Sequence, residues 1–229
     1  MNNNINDIKC KILFHTIGNG AFRCLSENGI FDDRAWTDFT NALSELGKKW
    51  KNVSLVECEL VGALFDLSRL LDDIENKSTE EIQKKINDLV PRMDLSALFY
   101  GTHGECPQRT YDIPVFENGE LNMSEDEAIQ CILFHTEGGG AFRQARTFRN
   151  YKEKMWNQLI YAIKKLKVYR CGRKMIEREV AAAFLSFPLH VRYQADYFYE
   201  SNSKSVEYIK LSELVKILAR EISELLISY

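Results

Sequence analysis

Apolar residues recur along most of the chain at intervals of three and four, the spacing at which side chains share one face of an α-helix. The clearest stripe contains Ala128, Ile132 and Leu133. Comparable stripes predict helices over residues 34–46, 54–71, 80–90, about 151–167, from near 174 toward 188, and 211–226. The pattern therefore predicts an all-α, mainly helical fold.

Helix starts are predicted from side chains that satisfy the free N–H groups of a first turn. Ser124 and Glu127 have the spacing of a capping box, in which each side chain bonds the backbone of the other residue. Three further starts are predicted on the same grounds, at Asn6 or Asp7, at Ser54 with Glu57, and at Ser78 with Glu81.

One twelve-residue element, ILFHT-x-G-x-G-AFR, occurs twice, at 12–23 and at 132–143. An offset of 120 residues aligns the two halves without a gap from 12/132 to 65/185, and it matches Trp36 with Trp156. A repeat of this length indicates a tandem duplication of a helical unit. We expect the two copies to be related by a pseudo-twofold axis.

Residues 100–122 differ from both halves, because they are rich in proline and glycine and have few periodic apolar positions. They predict an irregular linker between a helical repeat unit at 1–99 and a second unit at 123–229. The alternative is that both units form one compact domain.

The repeated element has two interpretations, and the first is structural. Gly18 and Gly20 would allow a positive φ and a close approach of two helices. His15 would cap the last carbonyls of the preceding helix, and the phenylalanines of each copy would fill the core. Arg23 would bond the same carbonyls or a carboxylate such as Glu57. The second copy would form the same corner.

The second interpretation is a ligand site, because N–H groups of a glycine-rich loop at a helix start bind anions. The loop matches neither a Walker A sequence nor a dinucleotide fingerprint. We therefore assign no cofactor, no metal and no catalytic residue. The candidate ligand-binding residues are His15, Thr16, Gly18, Gly20, Arg23, His135, Thr136, Gly138, Gly140 and Arg143.

Charge is distributed unevenly along the chain, although the net charge is only −3. Residues 1–115 have a balance of −5 and residues 116–229 a balance of +2, and the stretch 143–178 contains twelve basic residues. Such fields attract partners of opposite charge. The candidate partner-binding residues are Asp66, Asp72, Asp73, Glu75, Glu80 and Glu81 on the acidic side, and Arg146, Arg149, Lys164, Lys165, Arg170 and Arg173 on the basic side.

The sequence lacks three features that would indicate a zinc or redox dithiol site, a membrane span or a secreted protein. The chain has no C-x-x-C pair, no apolar run of about 18–20 residues that could span a bilayer, and no secretory signal at Met1. We therefore expect a cytoplasmic protein that has no membrane partner.

The leading hypothesis is a non-catalytic binding protein, of the bacterial immunity or antitoxin type, that neutralises a toxin such as a nuclease. One alternative is a nucleic-acid-binding protein that uses the 143–178 stretch. Another is a small-ligand-binding protein or enzyme that uses the repeated elements.

Overall fold

The computed structural model describes residues 4–75, 79–89, 95, 123–148, 152–187 and 206–227. Most of these residues are helical, which confirms the predicted helical class. The linker predicted at 100–122 lies outside the described residues.

The described part of the first half contains five helices and one short strand. In chain order they are α1 (Ile5–Thr16), α2 (Ala21–Asn28), α3 (Asp33–Trp50), β1 (Leu55–Glu57), α4 (Cys58–Glu75) and α5 (Glu80–Leu89).

The second half has the same order of elements, and their bounds are shifted by 120 residues from α1 through β1. The elements are α6 (Glu125–Thr136), α7 (Ala141–Phe148), α8 (Glu153–Arg170), β2 (Met175–Glu177), α9 over 178–187, and α10 (Val206–Ile227).

The chain divides into two compact units. Unit 1 comprises 1–105 together with 175–186, and unit 2 comprises 106–174 together with 187–229. In unit 1, α1 packs against α2, α3 and α4. In unit 2, α6 packs against α7 and α8, and α10 packs against α8. The division at 99 and 123 that the sequence suggests stays a prediction.

The two strands correct two predictions of helix starts. Residues 55–57 pair antiparallel with 175–177, so Ser54 does not open a helix as a capping box, and the helix predicted from near 174 begins at 178. The carbonyl of Ser54 instead accepts the N–H of Arg178 at 2.9 Å. Val56 and Ile176 are β-branched and buried, and such side chains favour extended backbone.

The register of this ladder is symmetric under the 120-residue offset. Val56 pairs with Ile176, its counterpart in the other copy, and Leu55 and Glu57 pair with Glu177 and Met175. Exchanging the two strands therefore maps the ladder onto itself.

Of two further predicted helix starts, one is confirmed and one was wrong. Both hydrogen bonds of the Ser124–Glu127 capping box are present, which confirms that prediction. The cap of α1 is Asn4, whose side chain accepts the N–H of Asn6, so the prediction of Asn6 or Asp7 was wrong. Ser78 lies outside the described residues.

Each unit has an aromatic core that includes a phenylalanine of the helix after the glycine loop and a tryptophan of the next helix. The rings of Phe22 and Trp36 meet edge to face at 4.5 Å, and those of Phe142 and Trp156 lie at 5.1 Å. Phe14 does not belong to this core, contrary to the prediction, because its side chain is 51% exposed.

Candidate functional site

His15 is buried at the corner between α1 and α2. Its Nδ1 accepts the backbone N–H of Ala21 at 3.2 Å, and its Nε2 lies 3.3 Å from an oxygen of Asp38. An Nδ1 that accepts carries no proton, so Nε2 carries the proton and donates it to the carboxylate. Both ring nitrogens are thereby engaged within the chain. The prediction that His15 caps the end of α1 was wrong: it caps the start of α2.

His135 forms the same corner in unit 2 and is fully buried. Its Nδ1 accepts the N–H of Ala141 at 3.1 Å. The side chain of Gln158 faces Nε2, although the contact falls short of full hydrogen-bond geometry. Burial lowers the pKa of His135 to about 4, because it disfavours the charged ring, while Gln158 opposes this shift.

The glycine loop after each histidine also satisfies much of its backbone internally. In unit 1 the N–H groups of Ile17 and Gly18 donate to the carbonyl of Leu13, and that of Gly20 donates to Phe14, each at 3.0 Å. In unit 2, the N–H groups of residues 137, 138 and 140 donate to carbonyls of α6. These donors are therefore already occupied without a ligand.

The threonine after each histidine is also bonded to its own helix. The hydroxyl of Thr16 donates to the carbonyl of Ile12 at 2.8 Å, and that of Thr136 donates to Ile132 at 2.8 Å. This bond to the carbonyl four residues earlier is common for threonine in helices.

Close approach, rather than a positive φ, explains the last glycine of each loop. A Cβ on Gly20 would lie 2.5 Å from the Cα of His15, and a Cβ on Gly140 would lie at the same distance from His135. Among the described glycines, φ is positive only at Gly29 and Gly172, so that part of the prediction was wrong.

The residues available to pair with the arginine of the repeated element differ between the two copies. Arg23 pairs with Glu27 at 2.9 Å and donates to Asn19 at 2.6 Å, not to Glu57 as predicted. The corresponding positions in the second copy are Thr147 and Gly139, which offer no carboxylate or amide side chain. Arg143 is exposed.

Glu57 bonds a lysine that the sequence did not single out. Lys9 donates to Glu57 and lies 2.7 Å from Glu59, which joins α1 to β1 and the start of α4. These hydrogen bonds raise the pKa of Lys9 against the opposing effect of burial.

Three residues of the basic stretch, Lys167, Arg170 and Arg173, pair with carboxylates of unit 2. Lys167 pairs with the buried Glu221 at 2.6 Å and with Glu224 at 2.7 Å. Arg170, itself buried, and Arg173 both pair with Glu125, at 2.5 Å and 3.0 Å. Arg170 thus joins α8 to α6.

Two more basic candidates lie near side chains of unit 2, Lys164 near a residue of α10 and Lys165 near a residue of its own helix. Lys164 is half exposed and 3.9 Å from Glu221, and Lys165 lies over the ring of Tyr161 at 5.4 Å. Arg149 and the side chain of Arg146 lie outside the described residues.

The acidic candidates fall into two groups. Glu80 and Glu81 are exposed in the first turn of α5, and Asp66 is half-buried on α4. Asp72, Asp73 and Glu75 belong to α4, but their side chains are outside the described set.

Ile30 is an exposed apolar residue that the sequence did not single out, and it lies in a segment that contacts α5. Ile30 is 59% exposed and precedes Asp33, which begins α3. The ammonium of Lys85 lies 3.8 Å from the carboxylate of Asp33 and 5.1 Å from the ring of Phe31, so α5 lies beside this segment.

Glu81 and Asp88 lie four residues before and three residues after Lys85, on the same face of α5, and both are exposed. We call Ile30, Phe31, Asp33, Glu81 and Asp88 the Ile30 surface.

The described residues contain neither a candidate metal site nor a candidate membrane-spanning helix. No group of three or more His, Cys, Asp or Glu side chains there could hold a metal ion. No described helix is both long and apolar enough to span a membrane.

Comparisons of the chain with protein-family models, with curated proteins and with solved structures found no match.

Proposed function

We propose that the chain is a protein-binding protein whose unit 1 recognises a basic partner through the Ile30 surface. The observation that carries this proposal is the exposed Ile30 three residues before Asp33, together with the exposed Glu81 and Asp88 on the face of α5 whose Lys85 contacts Asp33 and Phe31. Interfaces commonly combine an apolar centre with a charged rim, and complementary charge accelerates association.

The partner that fits this surface is a bacterial toxin such as a nuclease, because a nuclease binds its polyanionic substrate with a basic surface. The chain then acts as a cytoplasmic immunity or antitoxin-type protein that covers that surface. Binding alone suffices for this role.

The repeated corners support the proposal indirectly. Their imidazoles, threonine hydroxyls and several loop N–H groups already bond within the chain. We interpret them as the structural corners of a tandem duplication, which the matching element bounds favour, and the pseudo-twofold relation between the copies stays a prediction. The ligand-binding residues assigned from the sequence stay predictions.

The alternative of nucleic-acid binding has less support. Lys167, Arg170 and Arg173 are engaged by carboxylates of their own unit, which lowers the positive charge that the sequence suggests for 143–178. Nucleic-acid binding through this stretch would weaken steeply with added salt.

The test is to express the chain together with the product of the neighbouring gene and to measure co-purification and cell growth. We expect a stable complex and protection from growth arrest. No complex and no protection would contradict the proposed function.

The same experiment tests the surface. The double variant Asp33→Lys/Glu81→Lys should weaken the complex at least tenfold. A matched control is Asp7→Lys/Asp126→Lys, because all four residues are acidic and lie in the first turn of a helix. Equal loss in both variants would exclude the Ile30 surface but not the function.

A further inference from the structure

The two corners differ at the position that faces Nε2 of the histidine. In unit 1 this position is Asp38, whose second oxygen pairs with Lys11 at 2.6 Å. In unit 2 the equivalents of Asp38 and Lys11 are Gln158 and Cys131, and Cys131 is fully buried. The same corner is thus built once with compensating charges and once with neutral groups.

We propose that the unit 2 corner is an acid-sensitive switch, in which protonation of His135 releases the start of α7 from α6. The bond that gives way is the one between Nδ1 of His135 and the N–H of Ala141.

Nδ1 is the atom of His135 that receives the second proton. The neutral ring has one free lone pair, on Nδ1, and this lone pair accepts the N–H of Ala141. A second proton must therefore bind Nδ1 and convert it into a donor that points at another donor. A Cβ on Gly140 would lie only 2.6 Å from Nδ1, so the ring is tightly enclosed and cannot easily move aside.

Among the residues that the structure describes, none supplies a charge that would compensate a protonated His135 ring. The influences on His135 are burial and the side chain of Gln158 on α8, and α7 contributes the N–H of Ala141. Cys131, one turn earlier on α6, stays a neutral thiol because burial raises its pKa to about 12. In unit 1 the carboxylate of Asp38 would balance a charged ring, and we expect a weaker response there.

The direction of the pH effect on corner opening, and the pH range over which it acts, follow from the difference in the pKa of His135 between the closed and the open corner. The pKa of His135 is about 4 in the closed corner against an ordinary value of 6.5, so acid favours the open state. Closed-corner stability is complete above pH 6.5 and is lost as the pH falls toward 4. The opening equilibrium should rise roughly 20-fold between pH 7 and pH 5.

Opening would uncover an apolar ring. Phe142, in the first turn of α7, is buried and packs against Trp156 and Phe187. Release of α7 would separate these rings and expose Phe142, so the open state should be detectable as a local loss of protection.

The experiment is amide hydrogen exchange on the full chain from pH 7 to pH 5, with rates normalised to the intrinsic rate at each pH. Peptides covering 137–148 should lose protection roughly 20-fold. Peptides covering 17–28 should lose clearly less. Equal loss in both segments, or none in 137–148, would overturn the proposal.

Two variants isolate the histidine. His135→Asn retains an acceptor at the position of Nδ1 but does not titrate, so it should abolish the pH response of 137–148, and His15→Asn is the matched control. Gln158→Asp places a carboxylate as in unit 1 and should reduce the response. A response unchanged in His135→Asn would contradict the mechanism.

Discussion

Gly140 lies so close to His135 that any side chain at position 140 would overlap the histidine. A Cβ on Gly140 would lie 2.5 Å from the Cα and 2.6 Å from the Nδ1 of His135. Gly20 and His15 have the same relationship in unit 1. The spacing H-x-x-x-x-G thus combines a histidine that caps the next helix with the glycine that allows the two helices to meet.

This relationship predicts the effect of adding one methyl group to the loop. Gly140→Ala should destabilise the protein by about 1–3 kcal/mol, because the methyl group overlaps backbone as well as the ring. Thermal or denaturant unfolding measures the change. The control is Gly139→Ala, where a Cβ would have its nearest neighbour, the ring of Phe134, at an ordinary 3.6 Å. Equal destabilisation by both substitutions would show that the contact has no special role.

The helices could be predicted from the sequence because apolar stripes and caps are local signals. The strands could not, since three residues are too few for a periodic pattern and Ser54 with Glu57 imitates a capping box. Phe14 and Ile17 are three residues apart, the spacing of a buried helix face, yet both side chains are exposed. The apolar pattern alone does not show which apolar residues are buried.

The candidate sites were predicted only in part, for a related reason. The repeated element identified the two histidines, but not which helix end they cap, because that depends on how the chain turns at Gly20. The Ile30 surface was missed because residues 30–33 and α5, which form it, are far apart in the sequence.

The bond between His15 and Ala21 predicts a rescue pattern. His15→Ala should lower the free energy of unfolding by about 1–2 kcal/mol, because the first N–H of α2 loses its acceptor and a cavity forms. His15→Asn should recover part of this loss, since its side-chain oxygen can accept the same N–H. Denaturant unfolding at pH 7 measures both. Identical losses for Ala and Asn would indicate that packing, and not capping, explains the histidine.

The symmetric strand pair predicts that burial on one face of the ladder stabilises unit 1. Ile176 is fully buried and Leu55 is 44% exposed. Ile176→Ala should cost about 2–5 kcal/mol through lost burial and a cavity. Leu55→Ala, on the opposite face of the same ladder, should cost less than about 1 kcal/mol. Equilibrium unfolding compares them, and a larger loss for Leu55→Ala would contradict the assigned faces.

The buried Glu221 of α10 predicts a stability difference that depends on pH. Burial acts to raise the pKa of Glu221, but the hydrogen bond and charge of Lys167, helped by Lys164 and Arg220, lower it overall. A carboxyl group whose folded pKa is lowered stabilises the fold above its unfolded pKa, about 4.5, and loses this contribution as the pH falls through the folded value.

Glu221→Gln should therefore cost about 1–2 kcal/mol at pH 7 and progressively less as the pH falls below 4.5. Denaturant unfolding of both proteins across this range gives the difference. Glu224→Gln is the matched control, because it lies on the same helix and pairs with the same Lys167 but is 51% exposed. It should cost less than about 0.5 kcal/mol at any pH. A loss for Glu221→Gln that stayed constant down to pH 3 would mean that the charge of this residue does not hold α10 to α8.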